Sequence, residues 1–175
     1  MKSDIFRFKT FSLSQKQSAM KIGTDGVLLG AWATRELGSK GANILDIGSG
    51  TGVISLIAAH RCPDAKITAV EIDPPAANES KQNFESSPWS DRMSVVSSSL
   101  QDFSLKSENQ RGFDTIITNP PYFINSLKNP EANRVAARHA ELLPYEDLID
   151  GVDRLLSDDG SFYLILPYKE SSILL

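Results

Sequence analysis

Three groups of residues in this 175-residue chain have the types and the spacing to do chemistry together. Asn119-Pro120-Pro121-Tyr122 follows Phe113–Thr118, an apolar and β-branched run that reads as a buried strand. The tetrapeptide therefore closes the carboxyl end of a strand, the edge at which open α/β sheets bind ligands. Asn119 brings a side-chain oxygen, Pro120 a carbonyl with no N–H of its own to compete, Pro121 rigidity and Tyr122 a stacking face. Such a turn can hold a flat group that bears an amine. Asn-Pro is also an ordinary turn initiator, so a plain loop cap fits the same residues.

The second group is Asp46-Ile47-Gly48-Ser49-Gly50-Thr51-Gly52, between a strand and a helix. The missing Cβ atoms of Gly48, Gly50 and Gly52 let backbone and ligand approach closely. The spacing is G-x-G-x-G, not the G-x-G-x-x-G of a dinucleotide site. Asp46 lies beside the place where an ammonium group would fit, which suits a ligand carrying a cationic amino acid better than a phosphate. The third group is Glu71, which ends the next strand 19 residues after Gly52. A carboxylate there can accept both hydroxyls of a ribose, and Ile72 would flank an adenine ring. A tight turn without a ligand and a solvated acid are the bland counterparts. Their occurrence together is what carries information.

The elements that must position these groups follow from periodicity. Phe6–Lys9 alternates apolar and basic residues, as a half-exposed strand or a charged edge strand does. Asp25–Leu37 has a helical stripe, with Gly38 and Gly41 as stop signals. Strands are then expected at Asn43–Ile47, Lys66–Ile72, Met93–Val96, Phe113–Thr118 and Ser161–Leu166, the last after an Asp158-Asp159-Gly160 turn. Helices are expected at Val53–His60, Pro75–Glu85 and Tyr145–Leu156. Strands alternating with helices give an α/β fold, a doubly wound and mainly parallel sheet.

Composition sets the class. The 41% hydrophobic and 23% charged content is that of an ordinary globular chain, and the length predicts a single domain over residues 1–175. Cys62 is the lone cysteine, so no internal disulfide can form; no signal sequence or bilayer-spanning stretch is visible, and a cytoplasmic location is expected. The net charge of −4 argues against indiscriminate nucleic-acid binding. Residues 1–22 nevertheless form a basic arm, with Lys2, Arg7, Lys9, Lys16 and Lys21 against Asp4 alone. Such an arm can hold phosphates or simply keep an edge soluble. His60 and His139 lack partners at ligand spacing, so no metal site is expected, and Cys62 reads as core.

On these motifs the chain resembles the Rossmann-like class I S-adenosylmethionine-dependent methyltransferases, over roughly residues 20–167. The Asp46–Gly52 loop looks like their first motif, Glu71 like their ribose acid, and Asn119–Tyr122 like the signature of members that methylate planar amino groups. Lys21-Ile22-Gly23-Thr24-Asp25-Gly26, with Leu28 and Trp32, is similar to a narrower family, the bacterial tRNA adenine-N6 methyltransferases acting just 3′ of the anticodon of a valine tRNA. The resemblance implies S-adenosylmethionine as cofactor and tRNA as partner. It implies that Thr24 and Asp25 line the cofactor's methionine end and that Lys21 and Asn119 also bind the cofactor. Ser99 stands where relatives usually carry an acid against the cofactor's adenine; the Leu100 N–H would reach the same ring, and Asp102 is the alternative to Ser99.

Asn119 and the Pro120 carbonyl would then orient the target amine, and Tyr122 would stack on the base. Phe123, Lys128, Arg134 and Arg138 are candidate RNA contacts or a solvated helix face. The tetrapeptide also suits methylation of rRNA adenine or guanine, DNA adenine or a release-factor glutamine. A nicotinamide-dependent oxidoreductase and an inactive RNA-binding module are the readings from other classes. Finally, the resemblance implies a closing helix and an antiparallel strand pair, of which Tyr168–Leu175 supplies only the start of the helix. Either the closing strands lie beyond this sequence or the edge is completed otherwise.

Overall fold

A computed structural model describes residues 4–35, 41–120 and 143–174. A two-stranded antiparallel hairpin, β1 (Ile5–Arg7) and β2 (Ser12–Ser14), precedes α1 (Thr24–Ala33). Then come β3 (Asn43–Ile47), α2 (Val53–Arg61), β4 (Lys66–Glu71), α3 (Pro74–Glu85), β5 (Met93–Ser97) and the short α4 (Leu100–Ser104). β6 (Phe113–Thr118), α5 (Tyr145–Leu155), β7 (Leu156–Leu164) and α6 (Tyr168–Leu174) complete the described elements.

The five strands β3 to β7 form one parallel sheet in the order β5-β4-β3-β6-β7. The chain leaves β3 toward one edge and returns to its other side with β6, so the sheet reverses direction between them. Strand residues alternate between two cores. Ile44, Ile67, Ala69 and Ile117 pack with Leu29, Leu56 and Phe84 from α1, α2 and α3. Leu45, Ile47, Val70 and Ile116 pack on the opposite face with Leu100, Leu148 and Val152 from α4 and α5. Helices therefore cover both faces, and the doubly wound expectation holds.

Local chemistry fixes the helix starts. The Asp73 side chain caps α3 by accepting the Ala76 N–H at 3.3 Å, with prolines in the first turn. Ser99 caps α4 by accepting the Asp102 N–H at 3.0 Å. Gly52 opens α2 with φ +78°, and a Cβ there would lie 2.5 Å from Phe84 Cε1. Backbone strain and overpacking coincide, so Gly52→Ala is expected to lose about 3 kcal/mol, lowering the unfolding midpoint by roughly 10 °C in a thermal melt.

Several boundaries differ from the sequence reading. The first strand ends at Arg7, because Phe8 turns inward to stack on Phe11 at 4.5 Å, and Phe11 meets Trp89 edge-on at 5.5 Å. It pairs with β2 rather than edging the main sheet. Helix α1 stops at Ala33, where the Thr34 hydroxyl donates back to the Gly30 carbonyl at 2.7 Å. β7 starts at Leu156, before the expected turn: Asp158-Asp159-Gly160 forms an irregularity between Leu156, paired with Phe113, and Ser161, paired with Thr115. Gly160 leaves room there for Leu156, whose Cδ1 would lie 2.6 Å from an added Cβ and would have to shift. Among the described residues no helix is long and apolar enough to cross a membrane.

Candidate functional site

The carboxyl ends of β3, β4 and β6 open into a cleft of about 1170 Å³, mouth included. Its floor is the Gly48–Thr51 loop, one side is Val70–Asp73 with Ser98, Leu100 and Gln101, and the other is Ser18–Gly23 with Gly26. Asn119 and Leu143 close the end nearest β6. The location is the reversal point of the sheet, where the strand ends leave a crevice that no helix fills.

The glycine loop is built to be approached. Gly48 and Gly50 have φ of +70° and +53°, and nothing lies within 4 Å of where their Cβ atoms would stand. The loop is held from behind by α3: the Ser80 hydroxyl donates to the Gly50 carbonyl at 2.6 Å, and Asn83 Nδ2 donates to the Thr51 carbonyl at 2.9 Å. Gly52 lies behind the loop, against Phe84, and does not line the cleft.

Glu71 is 5% exposed, and its carboxylate is fixed by two backbone donors. Oε2 accepts the Gly50 N–H at 2.8 Å and Oε1 the Asp73 N–H at 3.0 Å. Each oxygen keeps a further lone pair, so a vicinal diol can still be bound. Ile72, 38% exposed, forms an apolar wall beside it.

Asp46 lies beneath the loop, fully buried, and is not part of the cleft surface. Its Oδ2 accepts the Ser55 hydroxyl at 2.6 Å and the Ser55 N–H at 3.1 Å, while its buried Oδ1 has no hydrogen-bond partner among the described residues. Burial pushes the carboxyl up to about 6, against those bonds from Ser55, and the charge of Glu71 adds to the rise. A carboxyl raised from 3.8 to about 6 favours the folded state while protonated, and that advantage is lost as pH rises between those values. The loss amounts to about 3 kcal/mol, complete above the folded value. Asp46→Asn cannot ionise, so its melting temperature relative to the natural chain is expected to climb between about pH 4 and pH 6.5 and then level off. A difference independent of pH would contradict the burial argument.

The remaining expected residues divide. Lys21 and Leu100 line the cleft, but the Lys21 ammonium donates to the Gln15 carbonyl and, at 3.5 Å, to that of Lys16. Thr24 and Asp25 stand in the first turn of α1, flanked by the lining residues Gly23 and Gly26, and do not line the cleft themselves. Ser99 is outside the lining: its hydroxyl caps α4 and pairs with Asp102 Oδ2 at 2.7 Å, while its neighbours Ser98 and Leu100 face the cleft. Asn119 lines the cleft, and its buried Oδ1 has no partner among the described residues. Pro120 is buried beside it. Pro121, Tyr122, Phe123, Lys128, Arg134, Arg138 and His139 lie outside the described residues.

Sequence reasoning missed the Ser18–Met20 side of the cleft, which carries no motif. The only available signal was its place just before Lys21. Among the described residues no group of three His, Cys, Asp or Glu could hold a metal ion. Cys62 is buried, which pushes its thiol up against the opposing pull of Arg61 and Arg92.

The site thus has room for a nucleoside against Glu71, and Asn119 Oδ1, unpaired among the described residues, is an acceptor free for a second group. Comparison with known proteins shows the family. The family described as "Methyltransferase small domain" matches residues 21–169. A Bacteroides fragilis protein named tRNA1(Val) (adenine(37)-N6)-methyltransferase is 47% identical over 173 residues, which is 98% of this chain and 70% of that one. A Bacteroides thetaiotaomicron protein of the same name is 48% identical over 169 residues, 95% of this chain and 68% of its own. In solved structures the fold matches P. horikoshii TYW2 in complex with MeSAdo, with TM-score 0.67 and 17% identity over 95% of this chain and 55% of that one. It also matches a predicted O-methyltransferase from Agrobacterium tumefaciens, with TM-score 0.64 and 19% identity over 86% and 65%. With identity near one half over almost its whole length, the chain belongs to the methyltransferase small domain family, in the group of the tRNA1(Val) (adenine(37)-N6)-methyltransferases.

Proposed function

We infer that this chain transfers a methyl group from S-adenosylmethionine to N6 of adenine 37 in tRNA1(Val), in the cytoplasm, where tRNA is. The relatives' names carry the substrate, and one structural observation supports the chemistry: a buried Asn119 Oδ1 just past the end of β6, inside the cleft and without a partner among the described residues. A buried acceptor without a donor costs about 1–3 kcal/mol, which an incoming amine can recover.

The cleft fits the cofactor. Glu71 would accept the two ribose hydroxyls, with its oxygens already aimed by Gly50 and Asp73. Ile72 and Leu100 would sandwich a flat base, with Ser98 at its edge. Gly48 and Gly50 leave room for the chain that joins ribose to amino acid. Lys21 would lie at the amino-acid end, with Thr24 and Asp25 in the adjacent first turn of α1, while Asp46 supports the loop from beneath.

S-adenosylmethionine, when bound, supplies a methyl group on a sulfonium, an electrophile that needs no activation. The difficulty lies in the nucleophile, because an adenine amino group shares its lone pair with the ring. Asn119 Oδ1 and the Pro120 carbonyl would accept its two hydrogens, fixing orientation and favouring positive charge on nitrogen. Such positioning is worth roughly 7–11 kcal/mol. Pro121 would keep the turn rigid, and Tyr122 would stack on the base. The methylated nitrogen is strongly acidic, so its proton leaves to water and no general base is needed.

The test is incubation with a tritiated methyl donor and, separately, total tRNA, rRNA and release factor, followed by nucleoside analysis. Label is expected as N6-methyladenosine in tRNA alone. Label in protein or rRNA would overturn the substrate and leave the cofactor in place.

A further inference from the structure

Glu79 lies on α3, away from the glycine loop, the ribose acid and the Asn119 turn, and no step above uses it. Yet it is one of the most buried charged side chains, 1% exposed, and no cation among the described residues pairs with it. Its partners all come from one stretch of the basic arm. Oε1 accepts the Ser14 hydroxyl at 2.7 Å, the Gln17 N–H at 3.0 Å and the Lys16 N–H. Oε2 accepts the Ser18 N–H and the Ser18 hydroxyl, both at 2.7 Å. Five donors converge on one carboxylate across more than 60 residues of sequence. Burial alone would raise this acid; the donors from Gln17, Ser18 and Ser14 outweigh it and bring it down to about 2.

What Glu79 grips is continuous with the cleft. Ser18, the last residue held, is the first residue of the wall that runs through Ala19, Met20, Lys21 and Ile22. That wall has no strand or helix to support it. It is stapled to itself, Gln15 Oε1 accepting the Ile22 N–H at 3.1 Å and Lys21 holding the Gln15 carbonyl, and to α3 through Glu79. One turn along α3, Asn83 accepts the Ser14 N–H at 2.7 Å and donates to the carbonyls of Ser14 and Thr51. Between them Ser80 holds Gly50. One face of α3 therefore fixes both the floor of the cleft and its opposite wall.

We propose that Glu79 is a positioning residue for the methyl-donor site, its carboxylate holding Ser14–Ser18 so that Ser18–Ile22 stands as a preformed wall over the bound donor. The proposal rests on the cleft being that site. A carboxylate fits this place because it accepts several N–H groups at once and offers no hydrogen of its own. Glutamine has nearly the same shape but sets an NH2 group against the Ser18 N–H. In Glu79→Gln the wall must be ordered when the ligand arrives, so affinity falls while the chemistry of the filled site does not change.

The experiment is titration of S-adenosylhomocysteine into the full chain, with steady-state tRNA methylation and amide exchange alongside. Glu79→Gln is expected to raise the Kd for S-adenosylhomocysteine and the KM for the methyl donor about tenfold, with kcat within about twofold at saturation. Amide exchange at Lys16–Ser18 should quicken and be slowed again by saturating S-adenosylhomocysteine; a general loss of stability would instead raise exchange throughout the sheet. Should Glu79→Gln fail to fold, Ser14→Ala removes one of the five donors from outside the cleft, and a Kd raised two- to threefold supports the proposal. An unchanged Kd in a folded Glu79→Gln chain, or in Ser14→Ala if that is the chain tested, overturns it. Failure of the natural chain to bind S-adenosylhomocysteine would instead refute the donor-site reading itself.

Discussion

Asn119→Ala is expected to lower kcat for tRNA methylation by about 10²–10³-fold while changing S-adenosylhomocysteine affinity by roughly threefold at most. The two numbers separate because of where the side chain sits. Asn119 directly follows the inner strand β6, whose end is fixed on both sides: Thr118 pairs with Ile47 and Leu164, and the Thr118 hydroxyl donates to the Ile47 carbonyl at 2.9 Å. The carboxamide is therefore carried on a residue anchored at the sheet edge, with Nδ2 near Gly26 and Oδ1 unpaired among the described residues. Alanine removes the acceptor and leaves the backbone course intact. Single-turnover methylation set beside calorimetric titration checks both halves. A parallel fall in affinity and rate would mean that Asn119 holds the cofactor and does not orient the amine.

Glu71→Ala is expected to weaken S-adenosylhomocysteine binding by about 100-fold, the equivalent of losing one to two hydrogen bonds to a charged group. The loss has two sources. Ribose hydroxyls would lose their acceptors, and the N–H groups of Gly50 and Asp73 would lose theirs. Glu71→Gln retains one good acceptor oxygen, so its affinity should fall between the two. The measurement is calorimetry on the folded variants. If alanine binds as well as the natural chain, Glu71 only ties the loop, and the ribose must be held elsewhere.

These effects were legible in the sequence to different degrees. The sheet was readable because β3, β4 and β6 are buried on both faces, and burial leaves uninterrupted runs such as Ile44-Leu45 and Ile116-Ile117. The Gly48–Gly52 loop and Glu71 were readable because tight approach and strand-end acids restrict residue type severely. α4 and β2 were missed, since five and three residues are too few for a period to emerge. The bulge at Asp158–Gly160 looked like a turn because both need the same residues. Asp46 was expected beside the ligand; the structure tucks it under the loop, a difference of one residue's facing in a strand that alternates. Glu79 was invisible for another reason. Its partners are backbone amides more than 60 positions away, and an amide leaves no letter in a sequence.

Segments near the start of a sequence ordinarily fray, opening and closing many times before the body of the protein does. Residues 14–18 are tied to two side chains on the same helix, so here fraying and the melting of that helix become a single event. Protease nicking in this stretch should accordingly follow the stability of the sheet, and not the looser schedule of a tail.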